Sequence, residues 1–192
     1  LTFVCNPPNM APYGARAAGV HNSPLAIAVP AKTHDALVLD MATSVAAGGK
    51  VSLAVDKGVS IPLGWALDAD GNPTTDATIA QILLPAGGYK GSGLAMMFEC
   101  LSSLMAGNPL LEPTFVGGPP VRPGTQNSVV AAVDIGAFTD LEEYKAHVDC
   151  LIEGVKGLPM AEGFQEILAP GEPEGRVRAE RERDGIPLPA GT

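Results

Sequence analysis

The stretch Leu25-Ala26-Ile27-Ala28-Val29-Pro30-Ala31-Lys32-Thr33-His34-Asp35-Ala36-Leu37-Val38-Leu39-Asp40-Met41-Ala42-Thr43-Ser44 decides which fold this chain can form. Leu25 to Pro30 and Ala36 to Asp40 are short, nearly continuous apolar runs bounded by Pro, Lys and Asp, the pattern of buried strands. Both are expected inside one sheet. Asp40, Thr43 and Ser44 then offer capping oxygens to a helix running towards Lys57, with Gly58 as its left-handed stop. A strand thus feeds a helix through a polar hinge, and on this reading alone Asp40 is an ordinary N-cap.

Downstream, Val59 to Ala80 is thick with turn formers and reads as a long ordered loop in which Trp65 packs or covers a ligand. Asp68, Asp70 and Asn72 have the spacing of a calcium loop. That loop requires Gly at its sixth position and Glu at its twelfth, where this chain has Pro73 and Ile79, so no metal is expected. Leu83-Leu84-Pro85-Ala86-Gly87-Gly88-Tyr89-Lys90-Gly91-Ser92-Gly93 sets one lysine in a glycine-rich turn that opens a helix. Free N–H groups, the positive end of the dipole and an ammonium group converge there on any phosphate. The pattern is neither a Walker loop nor GxGxxG, and no accompanying motif supports a kinase or phosphatase.

Leu94, Met97, Phe98, Leu101, Leu104 and Met105 recur at helical spacing up to Gly107, which predicts a helix packed in the core or on a subunit contact. Pro113 to Asn127 is a second Gly/Pro-rich loop. Ser128 to Ile135 (SVVAAVDI) is a third strand candidate. Thr139-Asp140-Leu141-Glu142 has the shape of a capping box for a helix that covers the sheet, and Leu168 to Glu172 makes a turn before a charged helix, Glu174 to Asp184. Its Arg and Glu run reads as a solvated face.

With 46% apolar residues in 192, the chain can bury a substantial core, and 23 Gly and 18 Pro favour short elements over a helical bundle. A formal net charge of −9 argues against nucleic acid and against an anionic membrane surface, and leaves small molecules as partners. Cys5, Cys100 and Cys150 form no CxxC pair; Cys100 is expected to pack as a small hydrophobe in its helix, and the setting is read as reducing and cytoplasmic. No apolar run spans a membrane and no secretion signal is recognisable. Because the chain starts at Leu1 in an apolar stretch, it is expected to be a piece of something longer.

Taken in order, Asn22 to Pro30, Asp40-Met41-Ala42-Thr43-Ser44, Ile61 to Asp68, Gly71 to Asp76, Leu83 to Leu94, Pro170-Gly171-Glu172 and Asp184-Gly185-Ile186-Pro187 resemble the malate/L-lactate dehydrogenase family. The resemblance implies an NAD(P)-dependent 2-hydroxyacid dehydrogenase, an oxidoreductase without a Rossmann fold. The fold implied is α+β, a mixed, largely antiparallel sheet covered by helices. Residues 1–165 would form the NAD(P)-binding domain, and 166–192 a C-terminal turn and helix contributing to the cofactor site.

Carried over residue by residue, Asp40, Met41, Ala42 and Thr43 would line the nicotinamide side. Lys90 and Gly91 would meet the pyrophosphate, and Pro170, Gly171 and Glu172 would complete the site, with Glu172 or Glu174 accepting ribose hydroxyls. Asn6 matches a further cofactor position. Where the family often reads Gly-Thr-Asn-Pro this chain has His21-Asn22-Ser23-Pro24, placing Asn22 at a substrate-contacting position. Imino-acid-reducing members carry an acidic residue where this chain has Lys50, which favours a 2-hydroxy or 2-oxo acid substrate. The resemblance puts the proton donor and the substrate-carboxylate cation on an N-terminal segment, so no catalytic residue is expected in this chain. His34 and His147 are expected on the surface, and only His21 near substrate. NAD is expected over NADP because no arginine is expected near these residues, and the family implies a homodimer. The competing reading is a catalytically inactive relative that serves as a binding or dimerisation domain.

Overall fold

A computed structural model describes residues 1–119, 121–122 and 124–188. The expectations for the loop at 113–127 and for the C-terminal part at 166–192 extend to Pro120, Pro123 and residues 189–192, which lie outside the described residues. Strand β1 (Thr2–Cys5) pairs on one side with β2 (Leu25–Val29) and on the other with β7 (Asn127–Val130), and β3 (Leu37–Met41) lies beyond β2. Every ladder in this four-stranded sheet, ordered β3-β2-β1-β7, is antiparallel. The two apolar runs are therefore neighbours, in register from Leu25↔Met41 to Val29↔Leu37.

Two features of that hairpin differ from expectation. Asp40 is not a cap: it pairs with Ala26 inside β3, and helix α1 (Gly48–Lys57) starts only after Ala47, with no side-chain cap. Ser44 is spent locally, its Oγ donating to the Ala46 carbonyl at 2.7 Å while its backbone bridges to Pro85. Nor are the strands fully buried, since Ile27, Val38 and Leu39 are more than a third exposed. Phe98 stacks on Phe3 at 4.4 Å between ring centroids, and Leu110 joins them, so coverage is concentrated over β1 and the start of β2. Gly58, at φ +62°, closes α1 as anticipated.

The long loop after α1 contains a second sheet, β4 (Ala66–Leu67), β5 (Pro73–Thr74) and β6 (Ile82–Leu83), ordered β5-β4-β6. Two-residue strands carry no readable alternation. Met10, fully buried, bridges both Val20 and Leu83 and ties this sheet into a core with Val51, Ile61 and Ala95. The calcium-like turn is self-contained: Asp68 Oδ1 accepts the N–H groups of Asp70 and Asn72, and Arg16 donates to the Asp70 and Gly71 carbonyls and to Asn72 Oδ1.

Helix α2 (Tyr89–Glu99) continues as a π-helical turn, Cys100–Leu104. Its periodicity was legible but its packed side was not. Leu94, Met97, Leu101, Leu104 and Met105 are exposed, and apart from Phe98 the buried positions are small or polar: Gly91, Ser92, Ala95, Glu99, Ser102 and Ser103. Cys100 is exposed rather than packed. The third strand candidate ends early, at Val130, because β1 runs out: Ala131 N–H donates to the Leu1 carbonyl as the last rung, and Ile135–Ala137 form a 3₁₀ turn capped by Asp134. A short α3 (Glu112–Val116) occupies part of the second loop.

Helix α4 (Leu141–Lys156) is capped by Asp140, whose carboxylate accepts the Glu143 N–H at 2.8 Å, one residue later than the capping box drawn from Thr139. Val148 and Ile152 are buried with Ala169 against Val29 and Leu37, while Leu151 and Val155 stay exposed. Helix α5 (Glu172–Asp184) begins at Glu172, with Pro173 in its first turn, and ends at Gly185. From α4, Asp149 accepts N–H groups of Lys32 (3.0 Å), Thr33 (2.8 Å) and His34 (3.4 Å) and the Thr33 hydroxyl (2.6 Å). The turn between β2 and β3 is thereby fixed to that helix, and these donors, led by the hydroxyl, pull the Asp149 pKa down to about 2.

Candidate cofactor groove

Two adjoining clefts run along the edge strand β3. The first, about 880 Å³, is lined by Asn6, His21, Asn22, Asp40 to Ala42 and Lys50 among others. The second, about 710 Å³, is lined by Val38, Gly171, Glu174 and Arg178, and the two share Asp40 and Glu174. Through these shared residues the two clefts form one groove.

Backbone pairing builds its walls. The Pro170 carbonyl accepts the Val38 N–H at 3.1 Å, bringing the C-terminal turn onto β3. Gly171, at φ +94°, belongs there because a Cβ would sit 3.3 Å from the Val38 nitrogen and oxygen. At the other end the Thr43 N–H donates to the Asn22 carbonyl and the Ala86 N–H to the Thr43 carbonyl, each at 2.9 Å. Asn9 locks Asn22 in turn, its Oδ1 accepting the Asn22 N–H at 2.8 Å and its Nδ2 donating to Asn22 Oδ1 at 3.0 Å. The Thr43 and Ala86 backbones are packed directly on α2, where a Cβ on Gly91 would lie 2.1 Å from the Thr43 oxygen.

The residues singled out in the sequence divide accordingly. Asn6, Asn22, Asp40, Met41 and Ala42 line the first cleft and Gly171 the second. Thr43 is wholly buried behind the wall, its hydroxyl without a partner; Gly91 is buried beside it. Lys90 is exposed in the first turn of α2, folded over Gly87, beside the lining residue Ala86. Pro170 and Glu172 line neither cleft but a third cavity of about 330 Å³ that shares Gly171 with the second, and the Glu172 carboxylate is already engaged by Lys156 and by the Ala169 N–H at 2.9 Å. Of these two glutamates, Glu174 and not Glu172 lines the groove. Arg178 also lines it, contrary to the expectation that no arginine would be close, although Arg178 donates to Glu182 at 2.7 Å. The signal was present: Glu174, Arg178 and Glu182 stand four residues apart on one helical face.

His21 is buried on the wall of the first cleft, and its Nδ1 accepts the Ser23 N–H at 3.0 Å. Burial pushes its pKa down to about 4, with the Val4 backbone opposing, so the ring is uncharged at neutral pH. His34 and His147 face Glu153 and Glu143 on the surface, as expected.

The fold and groove define an α+β domain whose candidate site follows an antiparallel edge strand, outside the class in which dinucleotides cross the carboxyl ends of parallel strands. The chain belongs to the malate/L-lactate dehydrogenase family, whose model matches residues 1–192. It is 37% identical over 190 residues to an L-sulfolactate dehydrogenase of Methanocaldococcus jannaschii, an alignment covering 98% of this chain and 54% of that protein. A ureidoglycolate dehydrogenase (NAD(+)) of Escherichia coli is 31% identical over 182 residues, 94% of this chain and 52% of that protein. Among solved structures, the sulfolactate dehydrogenase from Methanocaldococcus jannaschii superposes with a TM-score of 0.80 at 37% identity, covering 99% of this chain and 55% of that one. A dehydrogenase from Sinorhizobium meliloti superposes at 0.85 and 28%, covering 99% and 56%. The chain spans about half the length of the curated relatives it matches.

Proposed function

We propose that this chain is the cofactor-binding part of an NAD-dependent oxidoreductase interconverting a 2-hydroxy acid and a 2-oxo acid. The observation that carries the reading is the groove itself, continuous through Asp40 and Glu174 from Lys50 to Gly171. Asn6 Oδ1, on its wall, is a buried acceptor with no partner, which fits a ligand that brings a donor. When bound, the nicotinamide carrier supplies or accepts the hydride. Asp40, Met41 and Ala42 with Asn6 hold the nicotinamide end, with Thr43 supporting them from behind the wall, Lys90 beside Gly91 neutralises the diphosphate, and Pro170, Gly171 and Glu172 shape the far end. There Glu174 accepts ribose hydroxyls. Residues 166–192 complete the site formed by residues 1–165.

NAD is favoured over NADP because Asp35, Asp40, Glu174 and Glu182 line the second cleft, while its one lining arginine is already bonded to Glu182. A 2′-phosphate would meet more repulsion than attraction. Asn22 contacts substrate. The uncharged, engaged His21 is a poor proton donor, so the acid comes from outside this chain. The exposed apolar stripe of α2 supports a homodimer, the three free cysteines a cytoplasmic setting, and no helix among the described residues is long and apolar enough to cross a membrane.

Titration with NADH, followed by the cofactor's own fluorescence, tests the reading on the chain itself. Wild type is expected to bind, and Lys90→Ala to raise Kd at least tenfold, about 1.4 kcal/mol. A folded chain, by circular dichroism, that leaves NADH unbound would favour the inactive structural relative.

A further inference from the structure

Asn22 and Ser44 stand on the wall of the first cleft, and a second asparagine, Asn9, outside that lining, grips Asn22. An asparagine side chain ends in an acceptor oxygen and an NH2 donor of nearly equal shape, so what a cleft meets depends on what holds the amide. Here the order of protons is fixed from both ends by backbone groups of one polarity. The Asn22 backbone N–H donates to Asn9 Oδ1 at 2.8 Å, which leaves Asn9 Nδ2 as the branch that donates to Asn22 Oδ1 at 3.0 Å. Asn22 Nδ2 is then the remaining branch, and it reaches Ser44 Oγ at 3.4 Å. Ser44 gives its one proton to the Ala46 carbonyl at 2.7 Å, so towards Asn22 it can only accept. The second hydrogen of Asn22 Nδ2 has no acceptor among the described residues. Asn9 is itself held, its N–H donating to the Val20 carbonyl and its carbonyl accepting the Leu83 N–H, each at 3.0 Å, beside the fully buried Met10.

We propose that Asn9 is a positioning residue that fixes the polarity of Asn22, so that the first cleft meets an NH2 donor and not the amide oxygen, and that this donor receives a carboxylate oxygen of the 2-hydroxy acid. The proposal rests on the oxidoreductase reading and deepens it. A carboxylate offers acceptors only, so an amide turned over would set its own oxygen against the substrate's. An amide free to turn would have to be ordered at each binding event. Asn9 sets that order beforehand, without touching the substrate.

The experiment is steady-state kinetics on the protein expressed from its complete reading frame, with lactate and malate as substrates and NAD as cofactor. Asn9→Asp keeps the acceptor for the Asn22 N–H but turns the neighbouring donor into a second acceptor, which forces the Asn22 amide over. KM for both acids is expected to rise about tenfold, with kcat and the KM for NAD within about twofold of wild type. On an Asn22→Ala background there is no amide to turn, and Asn9→Asp should then shift the same KM by less than about twofold. Asn9→Ala, which frees the amide without adding a charge, should raise KM about threefold, again only while Asn22 is present, and it carries the test if circular dichroism shows Asn9→Asp unfolded. A rise that persists on Asn22→Ala, a rise confined to the KM for NAD, or no change in a folded Asn9→Asp would overturn the proposal while leaving the oxidoreductase reading standing. Wild type without turnover on any 2-hydroxy acid would overturn that reading and this inference with it.

Discussion

The two turns at either end of β3 are built in opposite ways. Between β2 and β3, Asp149 accepts three backbone N–H groups and a hydroxyl, so Lys32, Thr33 and His34 are satisfied from within the protein. Between β3 and α1 the helix begins without a cap, and among the described residues Lys50 makes no ion pair and Asn6 Oδ1, on the wall of the first cleft, is buried without a partner. An unmade hydrogen bond on a buried polar atom costs roughly 1–3 kcal/mol. A fold that closes one turn completely and leaves the other open at that cost is explained when a ligand completes the second. We read the first turn as a fastening and the second as part of the proposed binding site.

The comparison breaks most visibly at Gly91, which holds the open turn in place. Its Cβ position lies 2.1 Å from the Thr43 oxygen and 2.8 Å from the nitrogen and oxygen of Ala86, all backbone atoms that have no rotamer to change. Gly91→Ala should cost about 3 kcal/mol or more and abolish NADH binding. Gly93→Ala, two residues on, meets nothing within 4 Å and should stabilise the helix by about 0.5–1 kcal/mol. Thermal melts of the pair, with NADH titration, decide it: if Gly91→Ala melts like wild type and binds NADH, the open turn is not preformed by α2.

A smaller loss is expected at the closed turn. Asp149→Asn keeps the shape but replaces a charged acceptor, and Tm should fall by about 5–10 °C with NADH affinity little changed. Because the folded-state pKa of Asp149 is depressed to about 2, its contribution is fully present above the ordinary carboxylate range and is lost as pH falls from about 4 towards 2. Wild type should therefore lose stability across that interval more steeply than Asp149→Asn. Parallel pH–stability curves for the two proteins would show that the carboxylate is not the fastening.

What could be read in the sequence followed the same division. The β2–β3 pair, the glycine-rich turn into α2, the Gly58 stop and the helices α4 and α5 carry local signals: apolar runs, caps and periodicity. Long-range pairing carried none. β1 looked like an apolar start, yet it is central because both Leu25–Val29 and Asn127–Val130 pair with it from far away. Asp40 looked like a cap because Asp is a preferred one, and only the register with Ala26 makes it a strand residue facing a groove. The stripe of α2 misled about burial because close backbone approach, through Gly91, Ser92 and Ala95, outweighed the larger side chains. At the site, the resemblance left Glu172 and Glu174 as alternatives, and only the tertiary contacts of Glu172 with Lys156 and Ala169 leave Glu174 as the one of the two that lines the groove.

The finest test of the open turn is Asn6. Its Oδ1 makes no hydrogen bond, so Asn6→Ala removes nothing that holds the apo chain together, and Tm should stay within about 2 °C of wild type. If that oxygen is reserved for the cofactor, the same substitution should weaken NADH about fivefold, near 1 kcal/mol, the value of one ordinary hydrogen bond. The signature is the inverse of Asp149→Asn, with binding lost and stability kept. A fall in Tm with NADH affinity intact would make Asn6 part of the fastening, and the contrast between the two ends of β3 would then rest on Lys50 and the uncapped helix alone.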